Sequence, residues 1–250
     1  MRLTFVFVIL IFNYVFSQRD VTSEIIGTPY IGIHYGFNLT GKDLADRYGL
    51  INHLGGICGY KTKKNWIFSS TGNFLFGNQI RIEGILDNLK DEQGTITNSS
   101  GSPATVLLFL RGFNLDAQIG KIIPFWSPNA NSGIMINAGF GYILHKLRIE
   151  TQQDEVPQIE GENLKGYDRL TIGLNCAQFL GYSFMANMGV YNFYAGFYFQ
   201  ESFTKDQRAI FWDHPNELVT NNIRYEIQYG LKIGWLIPIY KRQPKQYYFD

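Results

Sequence analysis

Beyond its N-terminal stretch, the chain has no apolar run approaching the ~18 residues that a helix needs to cross a bilayer, so no transmembrane helix is expected in the mature protein. Cysteine is nearly absent. Cys58 and Cys176 are the two present, and they fall on the second and sixth of the eight strands derived below, both on the outward parity, which argues against a disulfide. Charge of either sign is not in excess: 22 Lys and Arg stand against 21 Asp and Glu, a formal net charge of +1. There is thus no electrostatic case for nucleic acid as a partner. No cluster has metal-ligand spacing, no nucleophile motif occurs, and no glycine-rich loop is built to hold a cofactor. Neither cofactor nor metal is expected, and the chain is not expected to be an enzyme.

What is present begins with Met1-Arg2 and an apolar stretch from Leu3 to Phe16 that ends in polar Gln18-Arg19-Asp20. Small residues suit Val15 and Ser17, the −3 and −1 positions of a cleavage site, so residues 1–17 are expected to be a cleaved secretory signal peptide. Aromatic residues make up 16% of the chain, and there are 26 glycines. That pairing suits a membrane β-barrel, with aromatics at the two interfaces and glycine where a narrow interior crowds side chains.

The strongest periodicity runs from Ile223 to Tyr240. Ile223, Tyr225, Ile227, Tyr229, Leu231, Ile233 and Trp235 alternate with Arg224, Glu226, Gln228, Gly230, Lys232 and Gly234. This is period-2 alternation, far longer than a typical strand of about five or six residues. Tyr225 and Trp235 are about 34 Å of strand apart, which at a tilt of roughly 40° projects to about 26 Å, close to the ~25 Å apolar band of an outer-membrane barrel. Lipid is expected on the odd face and a barrel interior on the even one.

Seven further segments read the same way: Ile31–Leu39, His53–Tyr60, Trp66–Phe76, Val106–Phe125, Ile134–Ile149, Leu170–Tyr182 and Phe193–Ser202. The facing of the second stays open. In the fifth, apolar Leu147 and Ile149 break the outward parity of Ile134 to Leu144, which points to a bulge near Lys146 or an extension above the membrane. Arg111 faces outward and is tolerable there only near an interface. The connections alternate long and short, as outer loops and periplasmic turns do. The predicted fold is all-β: an eight-stranded antiparallel up-and-down transmembrane barrel over residues 28–240, after a lead at 18–27 and before a periplasmic tail at 241–250. An even strand number closes every edge. The localisation expected is the cell outer membrane.

Particular motifs carry a resemblance. Ile119-Gly120-Lys121-Ile122-Ile123-Pro124, Pro128-Asn129-Ala130-Asn131-Ser132-Gly133, the stretches 156–162 and 165–171, and the closing Gly234-Trp235-Leu236-Ile237-Pro238-Ile239-Tyr240-Lys241-Arg242 resemble a family of outer-membrane β-barrel proteins from Bacteroidota. The resemblance covers about the last half of the chain. It implies an eight-strand barrel in the outer membrane and no particular reaction.

An eight-strand barrel is just filled by its own side chains. The inward set includes His34, Asn73, Asn114, Asp116, Asn137, His145, Asn175, Arg224, Glu226 and Lys232. Buried charge must be paired, so the reading is a polar plug centred on Asp116, Arg224, Glu226 and Lys232. A polar path or pocket is the other reading. His53, His145, His214 and Ser202 are the residues from which a lipid-modifying site would be built, though a triad needs geometry that sequence does not supply. The acidic loop with Asp154, Glu155, Glu160 and Glu162 is read as solvated, its spacing matching no calcium loop.

Partner contacts are expected at Phe211 and Trp212 in the last long loop, where packing over the barrel mouth is the competing reading, and at Tyr247, Tyr248 and Phe249 in the tail. The function expected is a structural or accessory subunit of an outer-membrane assembly, in contact with outer-membrane lipid and with proteins of the membrane or periplasm. The alternatives are an OmpW-like conduit for apolar molecules and a lipid-modifying enzyme. A soluble lipocalin-type barrel would reverse the faces, with apolar residues inside.

Overall fold

A computed structural model of the chain describes residues 24–152, 154–186, 191–216, 219 and 222–240. The expected signal peptide, most of the lead, and the tail with Tyr247, Tyr248 and Phe249 lie outside the described residues. Eight strands follow in order: β1 (Thr28–Lys42), β2 (Ile51–Lys61), β3 (Trp66–Gly77), β4 (Leu107–Ile123), β5 (Gly133–Glu150), β6 (Thr171–Met185), β7 (Asn192–Asp206) and β8 (Arg224–Pro238). Each pairs antiparallel with the next, and β8 returns to β1 through a ladder from Tyr30–Pro238 to Lys42–Glu226, so the sheet is a closed barrel. Closure satisfies the backbone of every strand and leaves no edge. One short α-helix, α1 (Asp43–Arg47), sits between β1 and β2. Among the described residues, no helix is long and apolar enough to cross a membrane.

The alternation in the sequence becomes two faces. Ile33, Phe37, Leu115, Phe140, Phe197, Leu231 and Ile233 point outward and are exposed, Phe140 by 76%. An apolar belt of this extent, interrupted by outward Gln178 and Ser70, would be strongly disfavoured in water and is the outer surface of a lipid-facing barrel. The soluble lipocalin alternative therefore has the wrong sign on its outer face. β2, whose facing was open, turns Ile51, His53, Ile57 and Lys61 inward and Leu54, Cys58 and Tyr60 outward. Cys58 and Cys176 are both free.

Of the two readings at Lys146, the bulge is not formed, and β5 runs on unbroken to Glu150. β4 and β5 keep one register from Leu107–Glu150 to Ile123–Ile134, and Ile143, His145 and Leu147 all point inward and are buried. Leu147 is apolar because the interior changes character at that height, not because the strand slips. Arg111 stays on the outward face, its guanidinium 5.0 Å from the Phe109 ring centre and donating to the Leu110 carbonyl at 2.9 Å.

The interior is layered, where a uniformly polar filling was expected. At the short-turn end Tyr30, Ile57, Ile67, Ile122, Met135, Phe179, Tyr194 and Leu236 form an apolar floor. Gly234 makes room for it: a Cβ there would lie 2.2 Å from the Tyr194 ring. Beneath the floor the lead is tied in, the Ile26 amide donating to Asn131 Oδ1 at 2.8 Å and Lys61 Nζ to the Ile26 carbonyl at 3.0 Å. At the long-loop end a second cluster joins Leu75, Leu110, Ile143 and Leu147 of the barrel to Leu44, Tyr48, Ile85, Leu86, Val156, Ile159 and Tyr167 of the loops. The long loops thus roof the barrel. The 78–106 loop carries a one-turn 3-10 helix at Asp87–Leu89 and an isolated Thr97–Pro103 bridge, and the 151–170 loop two more such helices, Pro157–Ile159 and Gly161–Gly166.

Candidate functional site

Between floor and roof lies a polar core built from inward residues that the register sets side by side. Asn73 on β3 stands opposite Asn114 on β4, and Thr71 opposite Asp116. His34 Nε2 bonds to Asn73 Oδ1, and Asn73 Nδ2 donates to Asn114 Oδ1 at 2.5 Å. Asn114 Nδ2 donates to Gln200 Oε1 at 3.0 Å, and Gln200 in turn donates to Ser202 Oγ at 3.0 Å. Asp116 receives Asn175 Nδ2 at 2.6 Å and Thr71 Oγ1 at 3.3 Å. The Lys232 ammonium lies 3.6 Å from the Tyr198 ring centre, facing its π-cloud. Amides that both donate and accept let one chain of bonds cross several strands, though His34 Nδ1, Asn175 Oδ1 and the Asn38 side chain are buried without a partner among the described residues.

Nearer the roof the chemistry turns ionic. His145 Nε2 lies 3.0 Å from Glu226 Oε2, and Arg224 Nε lies 3.7 Å from the other carboxylate oxygen. From α1, Arg47 reaches down into the mouth and makes a two-pronged bond to Asp206, both contacts at 2.8 Å, with a third to Thr171 Oγ1 at 2.9 Å. Burial by itself would lower the Arg47 pKa. The bond to Asp206 outweighs it and holds the guanidinium above the ordinary arginine value. At the loop surface, the bond to Asp168 likewise raises Arg208.

Asp116, Arg224, Glu226 and Lys232 therefore occupy two levels and not a single network. Arg224 and Lys232 lie on one strand, about 26 Å apart at roughly 3.3 Å per residue, beyond any shared contact. Lys232 and Asp116 belong to the polar core, while Glu226 and Arg224 belong to the ionic ring with His145, Asp206 and Arg47. That last residue was missed because it sits in a polar stretch read as a plain loop; its basic side chain closing a one-turn helix after a strand is the only signal it leaves.

The residues of the lipid-modifying alternative are dispersed. His53 bonds Gln228 at 2.8 Å, His145 bonds Glu226, His214 contacts Asp213 at 3.0 Å on an exposed loop, and Ser202 is taken up by Gln200. Among the described residues no histidine bonds a serine. The acidic loop also diverges: Asp154 accepts from Asn98 at 3.1 Å, Glu160 from the Val156 amide at 2.8 Å, and Glu162 pairs with Lys165. No group of three potential metal ligands converges among the described residues.

Phe211 is buried, with the Arg169 guanidinium 3.6 Å from its ring centre and Arg169 paired to Asp213. It belongs to the packing over the mouth and is not a free partner contact. Trp212 remains 43% exposed, edge-on to Tyr167 at 5.9 Å, its amide donating to the Gly166 carbonyl at 3.0 Å.

No protein-family model matches the chain, and no curated protein does. Solved structures similar to it include the attachment invasion locus protein Ail of Yersinia pestis, 12% identical over 84% of this chain and 99% of that one, TM-score 0.40. The N-terminal β-barrel domain of Pseudomonas aeruginosa OprF is 12% identical over 85% of this chain and 100% of that one, TM-score 0.38. The outer membrane protein OprG of the same species is 10% identical over 88% and 99%, TM-score 0.35. The eight-stranded barrel is defined by this chain's own closed ladder.

Proposed function

We propose that the chain is an outer-membrane barrel closed to solutes, acting as a structural or accessory component of an outer-membrane assembly. The observation that carries this reading is the stacked interior. An apolar floor, a cross-bonded polar core, an ionic ring and an apolar roof follow one another, so a hydrated solute meets a seal at each end. The resemblance at residues 119–124, 128–133, 156–162, 165–171 and 234–242 to barrel proteins of Bacteroidota supports the outer-membrane barrel in this reading and implies no particular role. Trp212 on the roof, and Tyr247, Tyr248 and Phe249 in the tail, are the partner contacts that fit it, with outer-membrane lipid around the belt.

The test has two arms. Refolded full-length protein in planar bilayers is expected to show no steady conductance. Steady conductance, or uptake of apolar solutes, would favour the OmpW-like conduit, and unaided deacylation of lipid by the pure protein the enzyme. Affinity capture from native membranes should recover partners that a variant deleted from Gln243 to Asp250, matched for folded amount, loses. Identical partners from both would remove the tail from the assembly.

A further inference from the structure

At the short-turn rim, the outer wall carries a groove of about 520 Å³ lined by Thr62, Lys63, Lys64, Trp66, Phe68 and Ile119. That volume is in the ~300–1,000 Å³ range of small-molecule sites. Trp66, Phe68 and Ile119 are outward residues of β3 and β4, exposed by 41–50%, so the apolar wall faces lipid. Its turn-side lip is cationic. Lys63 and Lys64 stand in the turn, and Lys121, opposite Trp66 in the register, holds its ammonium 5.1 Å from the Trp66 ring centre. None of the three lysines has an ion-pair partner among the described residues, while Lys61 beside them is buried and consumed by Ile26 and Asn131.

Two observations lift this above a scatter of surface lysines. The turn is rigid: the Trp66 amide donates to Thr62 Oγ1 at 3.0 Å, the Ile122 amide to the Asn65 carbonyl at 2.9 Å, and Asn65 Nδ2 to the Ala130 carbonyl at 2.8 Å. Asn65 supplies the left-handed φ of 61° that closes the turn. Charge is also segregated between the ends. Among the described residues of the short-turn rim Glu24 is the one carboxylate, whereas Asp87, Asp91, Glu92, Asp154, Glu155 and Glu162 crowd the loop end. A cationic lip over an apolar wall, at the level where headgroups meet acyl chains, matches an anionic amphiphile.

We propose that this groove binds one anionic phospholipid of the periplasmic leaflet, its phosphate held by Lys63, Lys64 and Lys121 and an acyl chain lying on Trp66, Phe68 and Ile119. The proposal rests on the barrel spanning a membrane with its short turns on the periplasmic side. Refolded protein is placed in mixed phosphatidylglycerol–phosphatidylcholine vesicles, extracted in mild detergent, and its retained lipid measured by native mass spectrometry. Wild type should retain phosphatidylglycerol in preference to phosphatidylcholine. At about fivefold per lysine near an anionic surface, the K63Q/K64Q/K121Q variant should lose that preference at least tenfold. A loop-end variant with the same charge change, K90Q/K146Q/K165Q, should keep it.

Quenching by brominated phosphatidylglycerol, read as the difference between wild type and Trp66→Phe, tests the site without touching a lysine. Equal retention of both lipids, an equal loss in the loop-end variant, displacement by inorganic phosphate alone, or no Trp66-dependent quenching would overturn the proposal. Failure of the membrane reading looks different: wild type would not insert, and protease would digest the strands themselves.

Discussion

Leu231→Arg tests where the bilayer lies. Leu231 is at the middle of β8, exposed by 57%, and flanked in the ladder by outward Phe37 and Phe197. Ile223 precedes the same strand and is exposed by 71%, so a surface-area argument makes Ile223 the more water-like or the more lipid-like site equally well. Depth separates them. From Leu231 to Ile223, at roughly 3.3 Å per residue and a tilt of about 40°, the rise along the membrane normal is about 20 Å, against a half-thickness of ~12 Å for the apolar band. Arginine at Leu231 should therefore cost on the order of 2–4 kcal/mol, and at Ile223 only about 0–1 kcal/mol. Urea titration of protein folded in vesicles, followed by the heat-dependent shift of the folded band on a gel, gives both values on one scale. Equal losses at the two sites, or a larger one at Ile223, would refute the placement of the belt.

Glu226→Ala removes the carboxylate from a pair with His145 in which both side chains are 1% exposed. The orphaned polar groups should cost on the order of 3–5 kcal/mol in the same titration, and a loss under ~1 kcal/mol would mean that water reaches the ionic ring. Gly166→Ala places a Cβ 2.3 Å from the Trp212 ring; overpacking of about 1–3 kcal/mol should push the indole outward, seen as a red shift and stronger acrylamide quenching that a Trp212→Phe background abolishes. Arg47→Met cuts α1 from Asp206 and Thr171, and should open the 43–50 loop to protease while leaving the folded-band shift unchanged; a protected loop would show that the apolar roof holds α1 by itself. In a background with both native cysteines changed to serine, Asn98→Cys and Glu160→Cys should react with an impermeant reagent on intact cells and Lys63→Cys and Asn129→Cys should not, the reverse pattern inverting the topology.

The strand content, the faces and the closure of this barrel are legible in the sequence because side-chain direction in a strand depends only on parity. Ile223 to Trp235 declare an outward face without reference to any other strand, and even the short polar turns punctuate at the right places. Parity says nothing of height. Asp116, Arg224, Glu226 and Lys232 share the inward face and so read as one network, yet register sets Asp116 opposite Thr71, and the rise of β8 carries Arg224 far from Lys232. The same blindness left the apolar Leu147 open between a bulge and an extension above the membrane, when the unbroken strand carries it into one buried cluster with Val156 and Ile159 of the 151–170 loop. It also left Arg47 in a plain polar loop and Phe211 undecided between partner contact and packing over the mouth. Local sequence determined which side of the wall each residue faces. Only the closed ladder and the folded-back loops decided which residues meet, because contacts across a barrel join positions far apart in the chain whose common height no local pattern encodes.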